Sequence, residues 1–184
     1  IHITKESVLL NNVCHTIVGT GGYPIVWIGL TEHDPKLSVH PAAHLGFKDG
    51  YLEGLNLTWF DEDNKYPICT AIRTGKPCIS QNIMGNPELS LWHKEAKMLG
   101  YNSIIGLPFR IDRQILGAIG IYSPELNAFK NDELTLLMQL ADDLAYGITA
   151  LRIRKERDKG QKELQKSYEK LERVLEETVE SLSS

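Results

Sequence analysis

The sequence has 184 residues, enough for one well-filled core and an appendage but too few for two ordinary domains. Its hydrophobic share of 42 % and its charged share of 24 % are those of an ordinary globular protein. The net charge of −4 argues against nucleic acid as a partner, because proteins that bind nucleic acid usually present a basic face.

The cellular compartment follows from hydropathy and cysteine use. The most hydrophobic stretches, 24–30 and 116–122, are far shorter than the roughly 20 residues that span a bilayer. We therefore expect membrane attachment only through segments of a longer protein, since the sequence lacks an initial Met and stops within a helical pattern. The three cysteines show no C-x-x-C spacing, which argues against disulfides and a zinc site and predicts a cytoplasmic protein.

The hydrophobic periodicity and the positions of Gly and Pro predict the helices and strands in chain order. They are a helix over 5–19, strands over 24–32 and 37–45, short helices over 49–56 and 64–74, a strand over 77–81, a helix over 87–99, strands over 103–111 and 114–123, and a long helix from 131. This order predicts an α+β fold in which a central antiparallel sheet carries helices on both faces. The helix over 5–19 and the long helix should pack side by side on one face.

Composition changes near Arg152, which divides the sequence into a domain over 1–151 and a tail over 152–184. The tail is rich in both charge signs, and apolar residues recur in it at alternating steps of four and three. The positions of this seam are Leu164, Tyr168, Leu171, Leu175, Thr178 and Leu182. Such a seam is typical of a coiled coil and predicts a homodimer. The polar stretch 152–160 weakens the seam, and we expect a switchable joint there.

Four short motifs occur in order along the first 151 residues. They are Ala71-Ile72-Arg73-Thr74-Gly75-Lys76-Pro77-Cys78, Gly100-Tyr101-Asn102-Ser103 leading into Leu107-Pro108-Phe109, Ile115-Leu116-Gly117-Ala118-Ile119, and Phe129 before Asp132-Glu133. Together they resemble the GAF domain, a sensor module of phytochromes, cyclic-nucleotide phosphodiesterases and bacterial signalling kinases. The resemblance implies a GAF/PAS-like sheet, a regulatory rather than catalytic role, and a ligand pocket on one face of the sheet.

The resemblance also implies which residues border that pocket, because the segment between the second and fifth strands forms its roof. A pocket of this kind is mainly apolar and aromatic, with a few polar groups. The predicted ligand-binding residues are Trp59, Phe60, Tyr66, Cys69 and Trp92, together with His40 and His44 on the second strand. The two histidines, four apart in a strand, are expected on the same side. The sequence leaves the ligand and any cofactor unknown.

Members of the family that bind haem, bilins or cyclic nucleotides do so through characteristic residues or motifs. A single histidine would suffice for haem, so this ligand stays open. The Cys14-His15 dipeptide resembles a bilin attachment site but lies in the first helix, outside the pocket region. The D-I-P triplet of phytochromes and the N-K-x-F-D-E signature of cyclic-nucleotide-binding domains are both missing.

Two alternatives belong to other functional classes. Free methionine sulfoxide reductases share the GAF fold and use pocket cysteines, and Cys69 and Cys78 could serve that role if Arg73 lowered a thiol pKa. A dimerisation module without a ligand is the second alternative.

The tail also indicates an output. The run 171–182 resembles linkers that precede HD-GYP cyclic-di-nucleotide phosphodiesterase domains, whereas linkers of histidine kinases and GGDEF cyclases match less closely. The preferred hypothesis is therefore a non-catalytic sensor domain that binds a small ligand. The dimeric tail would then pass the signal to an output domain outside the sequence.

Overall fold

A computed structural model describes residues 4–184, so residues 1–3 of the predicted domain lie outside the described residues. The helices are α1 (Lys5–Gly19), α2 (Tyr51–Gly54), α3 (Pro67–Thr74), α4 (His93–Leu99) and α5 (Asn131–Ser183), with a 3₁₀ helix over Pro87–Trp92. The strands are β1 (Ile25–Thr31), β2 (Val39–Leu45), β3 (Cys78–Ser80), β4 (Ser103–Ile111) and β5 (Gln114–Ser123).

The chain forms two compact units. The first ends at Ile148 and contains the sheet, and the second, Thr149–Ser184, is helical. Within residues 4–184, no helix combines the length and the apolar character needed to cross a membrane.

The five strands form one antiparallel sheet in the order β2-β1-β5-β4-β3. The predicted sheet and its strands are confirmed, and β4 and β5 have the predicted bounds because the Asp112-Arg113 turn joins them directly. The predicted helix over 87–99 is divided by a kink at Leu89, where φ is −101° and ψ is 18°. Asn86 caps the first part and accepts a hydrogen bond from the Glu88 amide, so this part starts as a separate turn.

One face of the sheet, here called the α1 face, is covered by α1 and the first turns of α5. Its buried helical residues are Leu10, Cys14 and Ile17 from α1 and Leu137, Ala141, Leu144, Ala145 and Ile148 from α5. They pack in one core with the sheet residues Val26, Ile28 and Ile119. The predicted side-by-side packing of the two helices is confirmed. Their apolar stripes are removed from water together.

The opposite face, here called the α3 face, is covered by α2, α3, the 3₁₀ helix and α4. Two glycines of the central strands let α3 approach the sheet. A Cβ on Gly106 would collide with the Pro67 carbonyl, and one on Gly120 would collide with the Ile68 side chain. The α3 backbone therefore lies directly on the sheet, and the remaining space beside it is left for larger side chains.

This close approach predicts the effect of adding one methyl group. Gly106→Ala should lower the free energy of unfolding by about 1–3 kcal/mol, because the backbone of α3 must move away from the sheet. The matched control is Gly54→Ala, whose added Cβ meets nothing within 4 Å. Urea unfolding followed by circular dichroism compares the two variants, and equal stability of both would contradict the packing.

Candidate functional site

A buried carboxyl group lies on the α3 face among tyrosine hydroxyls. Glu95 of α4 is only 6 % exposed. Its Oε2 accepts a hydrogen bond of 2.5 Å from Tyr51, and its Oε1 accepts one of 2.5 Å from Tyr101 and a longer one of 3.5 Å from Tyr66. The tyrosine–glutamate cluster, as it is called below, consists of Tyr51, Tyr66, Glu95, Tyr101, Tyr122 and the indole of Trp27.

The hydrogen bonds of the cluster form one connected network. The Trp27 indole N–H donates to the Tyr122 hydroxyl at 2.8 Å. That hydroxyl is bonded to the Tyr66 hydroxyl, which in turn lies beside Glu95. Between the two tyrosines either hydroxyl can be the donor, whereas the indole N–H only donates and a carboxylate only accepts. Glu95 is the acceptor for Tyr51, Tyr66 and Tyr101.

Different elements bring these groups together, and each does so for a local reason. Tyr66 precedes Pro67, the first residue of α3, so its backbone is extended and its ring turns under the helix. Tyr101 follows Gly100, which ends α4 in the left-handed conformation with φ of 76°. Tyr122 projects from β5 on the side of Gly120, where the small residue leaves room for Trp27.

The cluster is enclosed by aromatic rings. The rings of Tyr66 and Trp92 lie 4.0 Å apart at a tilt of 31°. Tyr101 meets Tyr122 edge-on at 4.8 Å, and Phe47 meets Tyr122 in the same manner at 5.5 Å. Ring faces carry partial negative charge and ring edges partial positive charge, so these tilted contacts are favourable. The tyrosine hydroxyls that meet at Glu95 are therefore carried by, or packed against, one contiguous group of aromatic rings.

The environment keeps the tyrosines protonated. Burial raises the pKa of Tyr66 and Tyr122 far above the ordinary value, and the negative charge of Glu95 raises both further. Burial is also the main cause of the raised pKa of Tyr101 and of Tyr51. All four hydroxyls are therefore hydrogen-bond donors throughout the physiological pH range.

Four of the predicted ligand-binding residues meet on the α3 face. Tyr66 and Cys69 are fully buried there, and Trp59 and Trp92 pack against the same core. Only Tyr66 bonds to the carboxyl group, while Trp92 stacks on Tyr66. The prediction that these residues bind a ligand stays a prediction.

Of the other three predicted residues, His44 also lies on the α3 face, whereas Phe60 and His40 do not share its position. The side chain of Phe60 is 68 % exposed. A β-bulge interrupts β2 between the partners of Ile28 and Gly29, so that His44 pairs with Trp27 but His40 pairs with Leu30. Paired residues share a face, and Trp27 and Leu30 belong to opposite faces. The expectation that the two histidines face the same side is wrong, because the extra residue reverses the alternation.

His44 is the histidine on the α3 face. Its Nε2 lies 3.6 Å from an oxygen of Asp49. Its Nδ1 is buried and has no hydrogen-bond partner among the described residues. His40 is exposed and borders an open groove of about 560 Å³ at the outer edge of β2. Charged side chains such as Glu32, Lys36 and Glu53 also line this groove, unlike the enclosed cluster.

The cysteines do not have the properties of thiolate nucleophiles. Burial raises the pKa of Cys69 to about 12, and the nearby Arg73 guanidinium offsets only part of this effect. Burial likewise raises the pKa of Cys78 more than Arg73 lowers it. Arg73 instead donates a hydrogen bond of 2.8 Å to the Asp61 carbonyl and so fixes the loop before α3. Arg73 does lower the pKa of both thiols, but burial raises it by more, so both thiols keep a raised pKa.

Sequence reasoning missed the centre of the site. Glu95 follows His93 and Lys94 in a helix, a context typical of a solvated face. Tyr122 and Trp27 could have been found from the sequence. Each lies in a strand at a position whose side chain faces the core, because side chains alternate between the two faces of a sheet. Tyr101 also had a signal, because an apolar residue just after a helix-ending glycine commonly packs back on the helix.

The comparisons with known proteins agree with this fold. A family model described as GAF domain matches residues 4–149. No curated protein matches the sequence.

Several solved structures are similar to the chain. The GAF domain of a phosphoenolpyruvate-protein phosphotransferase from Coxiella burnetii has a TM-score of 0.68 and 17 % identity, covering 84 % of this chain and 88 % of its own. Free methionine-R-sulfoxide reductase from Neisseria meningitidis, in complex with its substrate, has a TM-score of 0.66 and 17 % identity, covering 83 % of both chains. A GAF domain/HD domain protein from Geobacter sulfurreducens has a TM-score of 0.63 and 14 % identity, covering 82 % of this chain and 95 % of its own. At these identities the likeness shows the fold alone.

The position of the Tyr66 hydroxyl between Tyr122 and Glu95 predicts the effect of removing it. Tyr66→Phe keeps the ring but separates the Tyr122 hydroxyl from the carboxylate, which leaves buried polar groups without a partner. We expect a loss of about 1–3 kcal/mol in the free energy of unfolding. Phe60→Leu, at an exposed position, should change it by less than about 0.5 kcal/mol. Chemical unfolding measures both, and an unchanged stability of Tyr66→Phe would show that the hydroxyl does not support the cluster.

Proposed function

The chain belongs to the GAF domain family, and we propose that it is a regulatory sensor domain that binds a small ligand and signals through its C-terminal helix. In this proposal the chain has no catalytic role and acts in the cytoplasm as part of a longer protein. The observation that carries the proposal is the tyrosine–glutamate cluster. A buried carboxyl group surrounded by aromatic rings is a costly arrangement for a core that serves stability alone.

The position of the cluster supports a binding role. It lies between the sheet and the helices of the α3 face, where four of the predicted ligand-binding residues also meet. Ligand sites commonly combine apolar and aromatic walls with few polar groups that fix orientation, as Glu95 and the hydroxyls would do. The desolvated thiols Cys69 and Cys78 give less support to a reductase-like enzyme.

The tail supports signalling through a homodimer. Its seam residues are exposed, with Leu164 at 71 %, Leu171 at 56 % and Leu182 at 83 %. An apolar stripe of this regularity in an otherwise charged helix favours a second copy as its partner. A parallel arrangement would deliver two identical output domains to the same end.

The output domain is proposed from the linker. The run 171–182 resembles linkers before HD-GYP domains, and a GAF domain/HD domain protein is among the structural neighbours. A cyclic-di-nucleotide phosphodiesterase is therefore the preferred output, and a histidine kinase is the alternative.

A ligand-free dimerisation domain is the second candidate. It is favoured by one observation, that both oxygens of Glu95 already accept hydrogen bonds from tyrosines. Under this alternative the cluster would be a structural polar network that orients the helices of the α3 face.

The ligand proposal is tested by what the purified chain carries and binds. Small molecules extracted from the protein are identified by mass spectrometry, and thermal unfolding is followed with a panel of metabolites, cyclic nucleotides and haem. A ligand that binds only the folded state at 100 times its Kd should raise the free energy of unfolding by about 2.7 kcal/mol. An empty extract and unchanged midpoints across the panel would favour the structural alternative.

The homodimer is tested by sedimentation at several concentrations. The full chain should associate, whereas a chain that ends at Ala150 and the variant Leu171→Asp should not. The control Lys166→Asp changes a residue on the helix face opposite to the seam and should leave association unchanged. If the full chain is a monomer at high micromolar concentration, the homodimer proposal fails.

A further inference from the structure

We propose that the tyrosine–glutamate cluster binds a small protonated amine, whose N–H replaces the Tyr51 hydroxyl at Oε2 of Glu95. This inference rests on the proposed function and names the chemical class of its ligand. Four observations support it: the lack of a positive partner for Glu95, the aromatic walls, the unequal attachment of its two oxygens, and the gain from a charged donor.

The first observation concerns charge. Among residues 4–184, no Lys, Arg or His nitrogen lies within ion-pair distance of Glu95, and its partners are neutral hydroxyls. Buried carboxylates are usually paired with a cation or a metal ion. No group of three His, Cys, Asp or Glu side chains within the same residues is arranged to hold a metal. A ligand with a positive charge would supply the missing partner.

The second observation concerns the walls. Phe47, Tyr66, Tyr101, Tyr122 and Trp92 form a contiguous group of packed rings, with centroids 4.0 to 5.5 Å apart in the contacting pairs, and Tyr66 and Tyr101 direct their hydroxyls at the carboxyl group. Packed rings of this kind exclude water, and a positive charge beside a buried carboxylate is attracted more strongly than in water. They offer nothing to an anion, because the only charged group inside is itself negative. The enclosure therefore selects a cation over a phosphate or carboxylate ligand.

The third observation is that the two oxygens are held differently. Oε1 is bonded to Tyr101 and Tyr66, both of which are almost fully buried. Oε2 is bonded only to Tyr51, a half-buried residue at the start of α2. This helix has four residues, follows Gly50 in the left-handed conformation, and has no side-chain cap at its N-terminus. Oε2 is therefore the oxygen that a small local movement exposes.

The fourth observation concerns the exchange itself. Tyr51 gives Oε2 one neutral O–H donor, whereas an ammonium ion gives an N–H donor and a full charge. Charge-assisted hydrogen bonds are about twice as strong as neutral ones. The Tyr51 ring stacks on Phe47 at 5.6 Å and can remain as a wall after its hydroxyl is displaced. An alcohol of the same shape would exchange one neutral donor for another and gain little.

The test measures binding to the full chain by calorimetry and thermal unfolding at neutral pH. The probes are propylamine, putrescine and phenethylamine, each beside its alcohol counterpart, with tetramethylammonium as a cation that has no N–H. We expect the amines to bind and to raise the unfolding midpoint, and the alcohols to do neither. Tetramethylammonium should bind at least about tenfold more weakly than propylamine, because it cannot donate to Oε2.

Two variants locate the binding. Glu95→Gln removes the charge and should weaken amine binding at least about tenfold, and Tyr51→Phe removes the competing hydroxyl and should strengthen it about tenfold. Tyr146→Phe, 73 % exposed and outside the cluster, should leave it unchanged. If Glu95→Gln fails to fold, the affinity of Tyr51→Phe for the amines alone decides whether they bind at Oε2.

Some results would contradict the amine-binding proposal alone, and others would also contradict the ligand-sensor proposal. Equal effects of amines and alcohols, or weaker amine binding by Tyr51→Phe, would overturn the proposal. A neutral or anionic molecule extracted from the chain and lost on changing Glu95 would reject the amine but keep the ligand sensor. No ligand of any class would reject both.

Discussion

The buried carboxyl group of Glu95 is the constraint that organises the α3 face. An acceptor so far from water must find donors, and the chain supplies them from three separate segments: Tyr51 on α2, Tyr66 before α3 and Tyr101 before β4. Tyr122 on β5 joins the network through its bond to Tyr66. A hydrogen bond forms only within a narrow range of distance and direction. The positions of these segments therefore depend on one another. Moving any one of them leaves a buried polar group without its partner, so the network fixes an arrangement that apolar packing alone would leave looser.

The predictable part of the fold is the part encoded locally. The capping box of Thr4 and Ser7 starts α1, Gly75 and Gly100 end α3 and α4 in the left-handed conformation, and Asp112 turns β4 into β5. Each of these signals acts over a few residues, so the sequence alone places the boundaries. The kink at Leu89 is different, because Pro87 and Asn86 begin a turn that is compatible with either a continuous or a divided helix.

The site was harder to predict because it depends on tertiary pairing. The bulge in β2 arises from how that strand fits β1, and it moves His40 to the face opposite His44. Pro41, which pairs with Gly29 at the bulge, is a residue type typical of bulges and edge strands, but it does not fix which residue is the extra one. Glu95 was missed for a related reason, since a glutamate beside Lys94 in a short helix is ordinarily solvated and becomes buried only when tyrosines from other segments cover it. Tyr66 of the cluster and Trp92, which stacks on it, were among the predicted pocket residues, because large aromatic residues near a sheet face are predictable from composition and order.

A sensor must also convert occupancy into a change elsewhere, and the contacts of the cluster bear on how it can do so. A ligand changes an equilibrium only if it binds two states with different affinity. An amine at Oε2 would release Tyr51 while Oε1 keeps Tyr101, so the α2 side of the cluster would change and the sheet side would not. Tyr122 stands on β5, and the chain that leaves β5 is held by Gln81, whose amide donates to the Phe129 carbonyl at 2.6 Å and accepts from the Phe129 amide at 3.2 Å. Because α5 begins two residues after Phe129, this clamp connects the strand that carries a cluster hydroxyl to the start of the long helix. In the proposed sensor, a change that passes through the sheet would reach the start of α5 by moving Phe129 against its two hydrogen bonds with Gln81.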